Sequence, residues 1–202
     1  IHLSDLRIVT ELDDDYKDAD LKVYLSVTNS SDEIQKDVSV RLSLSGLPVV
    51  LSRHIPEIAA GSSWSGWLTG KVVSPDNEHP SLYTMKIEVG TSDKVVEQIE
   101  KRFGFREIRI QGNRLLVNGK AVKLRGVCRH EMHPLTGRVM NPALERKDVE
   151  LYRDANCNFI RTSHYPPCEE LLEVCDELGM FVEVEAPVCW IGHHANENWK
   201  VL

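Results

Sequence analysis

From His2 to Phe105 the apolar residues keep a period of two, and beyond Phe105 they abandon it. Leu21, Val23, Leu25 and Val27, then Val38, Val40, Leu42 and Leu44, alternate with polar residues, as strands with one buried face require. Leu3, Leu6 and Ile8 open the series, and runs at Trp64 to Val73, Leu82 to Val89 and Val95 to Phe105 continue it. The breaks are Asn29-Ser30-Ser31-Asp32, Gly46-Leu47-Pro48, Gly61-Ser62-Ser63 and Pro75-Asp76-Asn77, all of them turn chemistry. About seven short strands in a hundred residues, with no helical spacing, predict an immunoglobulin-like β-sandwich over residues 1–105.

Residues 106–202 follow a different rule. Leu115 to Val122 is a pair of apolar runs around Asn118-Gly119, a hairpin signal because both turn positions accept positive φ. Val122 to Cys128 then reads as a strand, Leu144 to Asp154 as a helix through Leu144, Val149 and Tyr152, and Cys157 to Arg161 as a second strand. Glu169 to Leu178 carries a helical face of Leu171, Leu172, Val174, Cys175 and Leu178 and stops at Gly179, and Met180 to Glu185 is a third strand. The β-α-β-α-β order predicts a parallel sheet with right-handed crossovers. It supplies less than half of a (β/α)8 barrel, so the expectation is an incomplete barrel belonging to a longer protein.

Composition excludes several classes. A formal charge of −7, from 24 basic and 31 acidic residues, argues against a nucleic-acid partner, and the acidic run Glu11 to Asp15 reads as a solvated loop. No apolar stretch reaches the roughly 20 residues of a membrane-spanning helix. The five cysteines all lie in the second half without paired short spacing, so free thiols are expected rather than a zinc site.

The chemistry sits just past the ends of the first two parallel strands, where a β/α barrel keeps its active site. There stand Arg129-His130-Glu131-Met132-His133-Pro134-Leu135-Thr136-Gly137-Arg138-Val139-Met140 and Arg161-Thr162-Ser163-His164-Tyr165-Pro166. Both segments resemble the opening barrel strands of glycoside hydrolase family 2, and look most like its β-galactosidase branch. The resemblance implies a sandwich followed by a catalytic barrel, a carbohydrate substrate and retaining hydrolysis by two glutamates on the fourth and seventh strands, which lie outside this chain. By itself, then, the chain is expected to be inactive.

The resemblance also assigns roles. Arg161 matches an arginine that hydrogen-bonds the nucleophilic carboxylate, and His130 and His164 match histidines that donate to sugar hydroxyls. Glu185 matches an acidic residue that ends strand three, either orienting its neighbours or forming a plain ion pair. These four are the expected substrate-binding residues. Arg129 and Glu131 are expected to act as internal partners of the loop, and Tyr165 to pack its turn.

Asn196-Glu197 imitates the family's acid/base dipeptide but follows no apolar strand, so it reads as a loop. Cys189 and Ile191 stand where the classical galactosidase keeps magnesium ligands; neither is a hard oxygen donor, so no metal or cofactor is expected there. His193-His194 reads as solvated, and Trp190 and Trp199 are open between sugar stacking and packing. Competing functions are β-glucuronidase specificity or a non-catalytic carbohydrate-binding module. Trp64 and Trp67, three apart in one strand and so on opposite faces, argue against the latter. Finally, Val127, Phe159, Val182 and Val184 are candidates for an apolar surface through which the half-barrel self-associates, or over which Gly192 to Leu202 folds back.

Overall fold

A computed structural model describes residues 1–73, 75, 81–92 and 94–187. The chain divides into two compact units, Ile1–Val122 and Lys123–Leu202.

Seven strands build most of the first unit: β1 (His2–Leu12), β2 (Asp18–Thr28), β3 (Gln35–Leu44), β4 (Val50–Ile58), β5 (Ser63–Val73), β6 (Tyr83–Thr91) and β7 (Lys94–Phe103). They pair antiparallel in two sheets, ordered β1-β2-β5 and β4-β3-β6-β7. The predicted alternation decides which face is buried. Leu21, Val23, Leu25 and Val27 of β2 share a core with Val38, Val40 and Leu42 of β3 and Met85, Ile87 and Val89 of β6. Each such side chain contributes about 1.5–3 kcal/mol of burial. β4 carries Pro56, which cannot donate to a ladder, and it lies on the edge of its sheet, where that defect is tolerated. On β5, Trp64 packs against the core and Trp67 faces out beside Tyr24.

The turn after β2 is held by a buried side chain. Asn29 donates through Nδ2 to the carbonyls of Glu33 (2.8 Å), Ile58 (3.0 Å) and Ala59 (3.1 Å). Its Oδ1 accepts from the Ser31 hydroxyl (2.7 Å) and N–H (3.1 Å). An amide this fully satisfied fixes the crossing from one sheet to the other.

A small sheet completes the unit, ordered β10-β9-β8, from β8 (Ile108–Gln111), β9 (Arg114–Val117) and β10 (Lys120–Ala121). Asn118 (φ 47°) and Gly119 (φ 73°) make the expected hairpin turn. The Asn118 N–H and side chain also close onto the backbone of Glu107 at 3.0 and 2.8 Å. A Cβ on Gly119 would fall 2.7 Å from the Tyr16 ring, so glycine serves both the dihedral and the approach.

The second unit holds β11 (Gly126–Arg129), α1 (Pro142–Asp154), β12 (Phe159–Thr162), α2 (Glu169–Leu178) and β13 (Phe181–Val184). Its strands are parallel, with Val127, Ile160 and Val182 in register across the sheet. Gly126 permits this closeness: a Cβ there would sit 1.8 Å from the Phe159 carbonyl oxygen. α1 starts at Asn141, whose Oδ1 accepts from the Ala143 and Leu144 N–H groups at 3.1 Å, with Pro142 next. α2 ends at Gly179 in the left-handed conformation. Val149, Leu171, Val174 and Cys175 of the helices pack on Ile160 and Met180.

β11 is shorter than the sequence reading. Residues 123–125 do not join the ladder, because Asn158 takes their backbone instead, accepting from the Arg125 N–H (2.7 Å) and donating to the Lys123 carbonyl (3.1 Å). Of the four apolar residues read as a possible interface, Val182 packs with the helical core and Val184 is half exposed. Cys128, Cys157, Cys168 and Cys175 are free thiols.

Candidate active site

The register that aligns Arg129, Thr162 and Val184 brings all three strand ends to one edge. The residues that follow, His130, Ser163-His164 and Glu185, therefore emerge side by side. The Ser163–His164 peptide is cis.

Glu185 is the hub. One oxygen, Oε1, is ion-paired with Arg161 Nη2, and Oε2 lies 2.9 Å from His164 Nδ1. The backbone N–H of Glu185 donates to Thr162 Oγ1 (3.2 Å), and that hydroxyl donates to the Glu183 carbonyl (3.4 Å). Burial acts to raise the Glu185 carboxyl, but the hydrogen bonds from His164 and Arg161 outweigh it and hold the group below the ordinary glutamate range. Arg161 also points Nη1 at Cys128 Sγ (3.9 Å) and Nε at Glu183 (3.8 Å). Its contacts with Cys128 and then Glu185 push its pKa up, so it is a fixed cation at any working pH.

The His130 ring meets the His164 ring edge-on with centroids 5.6 Å apart, and lies 6.1 Å from the Tyr165 ring. Tyr165 in turn accepts from the Glu131 N–H (3.0 Å) and carries the Arg138 guanidinium over its face at 5.3 Å. The four residues singled out from sequence, His130, Arg161, His164 and Glu185, thus converge in one cluster. Spacing alone missed Thr162, Cys128 and Arg138, which set the posture of that cluster; only the in-register pairing of Cys128 with Arg161 brings that pair together.

Arg129 and Glu131 do the internal work expected of them. Arg129 is buried and donates through Nη2 to Glu145 (2.8 Å) and through Nε to Asp148 (3.0 Å) on α1. Burial pushes the Glu145 carboxyl up against the pull of Arg129. Glu131 accepts the Cys168 N–H (2.8 Å) at the start of α2, where the residue's own side chain provides no cap. His133 is a turn residue: its Nδ1 contacts the Thr136 hydroxyl (3.1 Å), and its backbone pairs with Gly137. Cys189, Trp190, Ile191, His193, His194, Asn196, Glu197 and Trp199 lie outside the described residues. Ile191 has no side-chain donor atom to offer a magnesium ion.

The family profile described as glycosyl hydrolases family 2 matches residues 1–106, and that of the glycosyl hydrolases family 2 TIM barrel domain matches residues 108–201. The chain belongs to glycosyl hydrolase family 2. Its relatives include a β-galactosidase of Arthrobacter sp. (strain B7), 38% identical over 73% of this chain and 14% of that protein. A β-galactosidase of Staphylococcus xylosus is 33% identical over 99% of this chain and 19% of its own length. Among solved structures, a Bacteroides uniformis β-glucuronidase superposes with a TM-score of 0.81 at 29% identity, covering 90% of this chain and 23% of that one. This chain therefore spans a quarter or less of these relatives. Its family membership explains the architecture directly: a sandwich, then the opening strands and helices of a TIM barrel.

Proposed function

We propose that the chain is the sandwich and barrel-opening portion of a retaining exo-β-glycosidase with β-galactosidase-like specificity. The observation that carries this is the Arg161–Glu185–His164 network at the C-terminal edge of the parallel strands, beside His130. Retaining enzymes hold two carboxyl groups about 5–5.5 Å apart, one attacking and one donating a proton. In this reading Arg161 keeps the attacking carboxylate ionised and aimed, while His130 and His164 donate to sugar hydroxyls whose hydrogen bonds tighten as charge develops at the anomeric carbon. Glu185 acts through others: it fixes the Arg161 fork and, by accepting from His164 Nδ1, leaves Nε2 of that ring free to face the sugar.

Pro134 and the following Leu-Thr-Gly-Arg-Val-Met favour galactosides. The likeness to a β-glucuronidase at a TM-score of 0.81 supports uronide cleavage as the second reading. Nitrophenyl β-galactoside and β-glucuronide, offered to a longer protein containing this segment, discriminate between them: the first should be turned over with the higher kcat/KM. The 202-residue chain alone should hydrolyse neither, and Glu197→Gln should change nothing. For partners, the reading has the second unit self-associate along the β13 edge, where Val184 is half exposed; sedimentation as a clean monomer contradicts it.

A further inference from the structure

Glu131, next to His130 in the chain, belongs to a second group of side chains with no part in the sugar binding proposed above. Glu145, on α1, is fully buried, and one of its oxygens, Oε2, accepts from Arg129. The other, Oε1, makes no well-formed hydrogen bond among the described residues, although the Cys168 thiol, a weak donor, acts on this carboxyl. Burying a carboxylate oxygen without a partner is costly, so a native structure that does so asks for an occupant. Two further donors lie close to the Glu145 carboxylate. One carboxylate oxygen each from Glu131 and Glu145, and Sγ of Cys168, lie within 4.8 Å of one another.

The charge balance points to the occupant's sign. Arg129 is shared between Glu145 and Asp148, and Glu131 and Asp148 both act electrostatically on Glu145. Three carboxylates against one guanidinium leave a formal excess of two negative charges, which a divalent cation would balance. The donor set points to its chemical class. A cysteine sulfur beside two carboxylates suits zinc and its borderline relatives such as cobalt, and disfavours magnesium and calcium, which want oxygen alone; without the ion, burial pushes the Cys168 thiol up to about 12, so loading would release its proton. The spacing is compatible: bonds of about 2.0–2.3 Å to a central ion would draw together donors that already lie within 4.8 Å of one another.

We propose that Glu131, Glu145 and Cys168 form a binding site for a zinc-class divalent cation. Glu131 uses one oxygen for the Cys168 N–H and has the second available; Glu145 keeps Oε2 on Arg129 and offers Oε1. The ion ties together three elements distant in sequence: the loop after β11, the first turn of α1 and the N-terminus of α2. Because Glu131 neighbours His130 and donates its N–H to Tyr165, the ion braces the wall of the sugar-facing cluster rather than touching substrate.

The test is a cobalt(II) titration of the chelator-stripped 202-residue protein, followed by absorption and by metal analysis. The expected result is one tightly held ion per chain with a sulfur-to-cobalt charge-transfer band, and a thermal midpoint that rises on loading. Cys168→Ser should abolish the band and the thermal gain; serine is a favoured N-cap residue, so circular dichroism should find this variant folded. Glu131→Gln should weaken binding at least about tenfold. Cys128→Ser and the His193→Ala/His194→Ala double variant should bind as the parent does. The proposal is overturned if the parent shows no band, if the band survives Cys168→Ser, or if it disappears in the histidine variant.

Discussion

The Glu185 carboxylate accepts from His164 Nδ1 at 2.9 Å while its other oxygen is paired with Arg161, so one acidic side chain sets the posture of two cationic or donor groups from a different strand end. Parallel register makes this possible, since β12 and β13 deliver Thr162 and Val184 to the same level and the next residues must meet.

That arrangement has a pH consequence. The folded protein holds the Glu185 pKa below 4.5, the value of an unperturbed glutamate, so the linked stability is present above that value and is lost as pH falls through the depressed folded pKa. Carbon-detected NMR of the Glu185 carboxyl should titrate with a midpoint below 4.5, and Arg161→Ala should move the midpoint upward. A midpoint above 4.5 in the parent would contradict the assigned pairing.

Arg129 should matter to folding more than to chemistry. Its replacement by alanine strands the Glu145 carboxylate in a fully buried position and should cost about 3–5 kcal/mol. Replacing Glu145 as well, in Arg129→Met/Glu145→Leu, should recover most of that loss. Denaturant unfolding of the two variants against the parent measures it, and equal losses in both would show that the pair is not the cause.

Asn29 gives the corresponding test in the sandwich. Asn29→Ala leaves three carbonyls and two donors around Ser31 to find water inside a closed turn, and should cost about 2–3 kcal/mol. Amide hydrogen exchange should locate the loss in β2 and β3. Uniform protection across the sheet would rule out Asn29 as the clasp.

Much of this was readable in the residues. α2 runs from Glu169 to Leu178 as its apolar spacing and Gly179 dictate, and the core alternation on β2 and β3 follows from residues two apart. Other features were hidden for physical reasons. β8 is exposed along its whole length, so no burial pattern marks it. The start of β11 is set by the Asn158 side chain, 33 residues from Arg125, and no local signal encodes such a contact. Asn29 reads as turn chemistry, which it is, but its burial depends on the approach of Ile58 and Ala59. The convergence of Glu131, Glu145 and Cys168 comes from three different elements, so the spacing rules that exclude a zinc finger do not detect it.

Arg161 is proposed to serve the chemistry of glycoside cleavage rather than a surface ion pair. The most direct measurement is steady-state hydrolysis of a nitrophenyl β-galactoside, or of the glucuronide if that is the better substrate, by a longer active protein containing this segment and by its Arg161→Ala variant. If Arg161 steadies the attacking carboxylate, kcat should fall by about 100-fold or more while KM changes only a few-fold. An unchanged kcat, or a loss confined to KM, would leave Arg161 as a surface ion pair with no part in the chemistry.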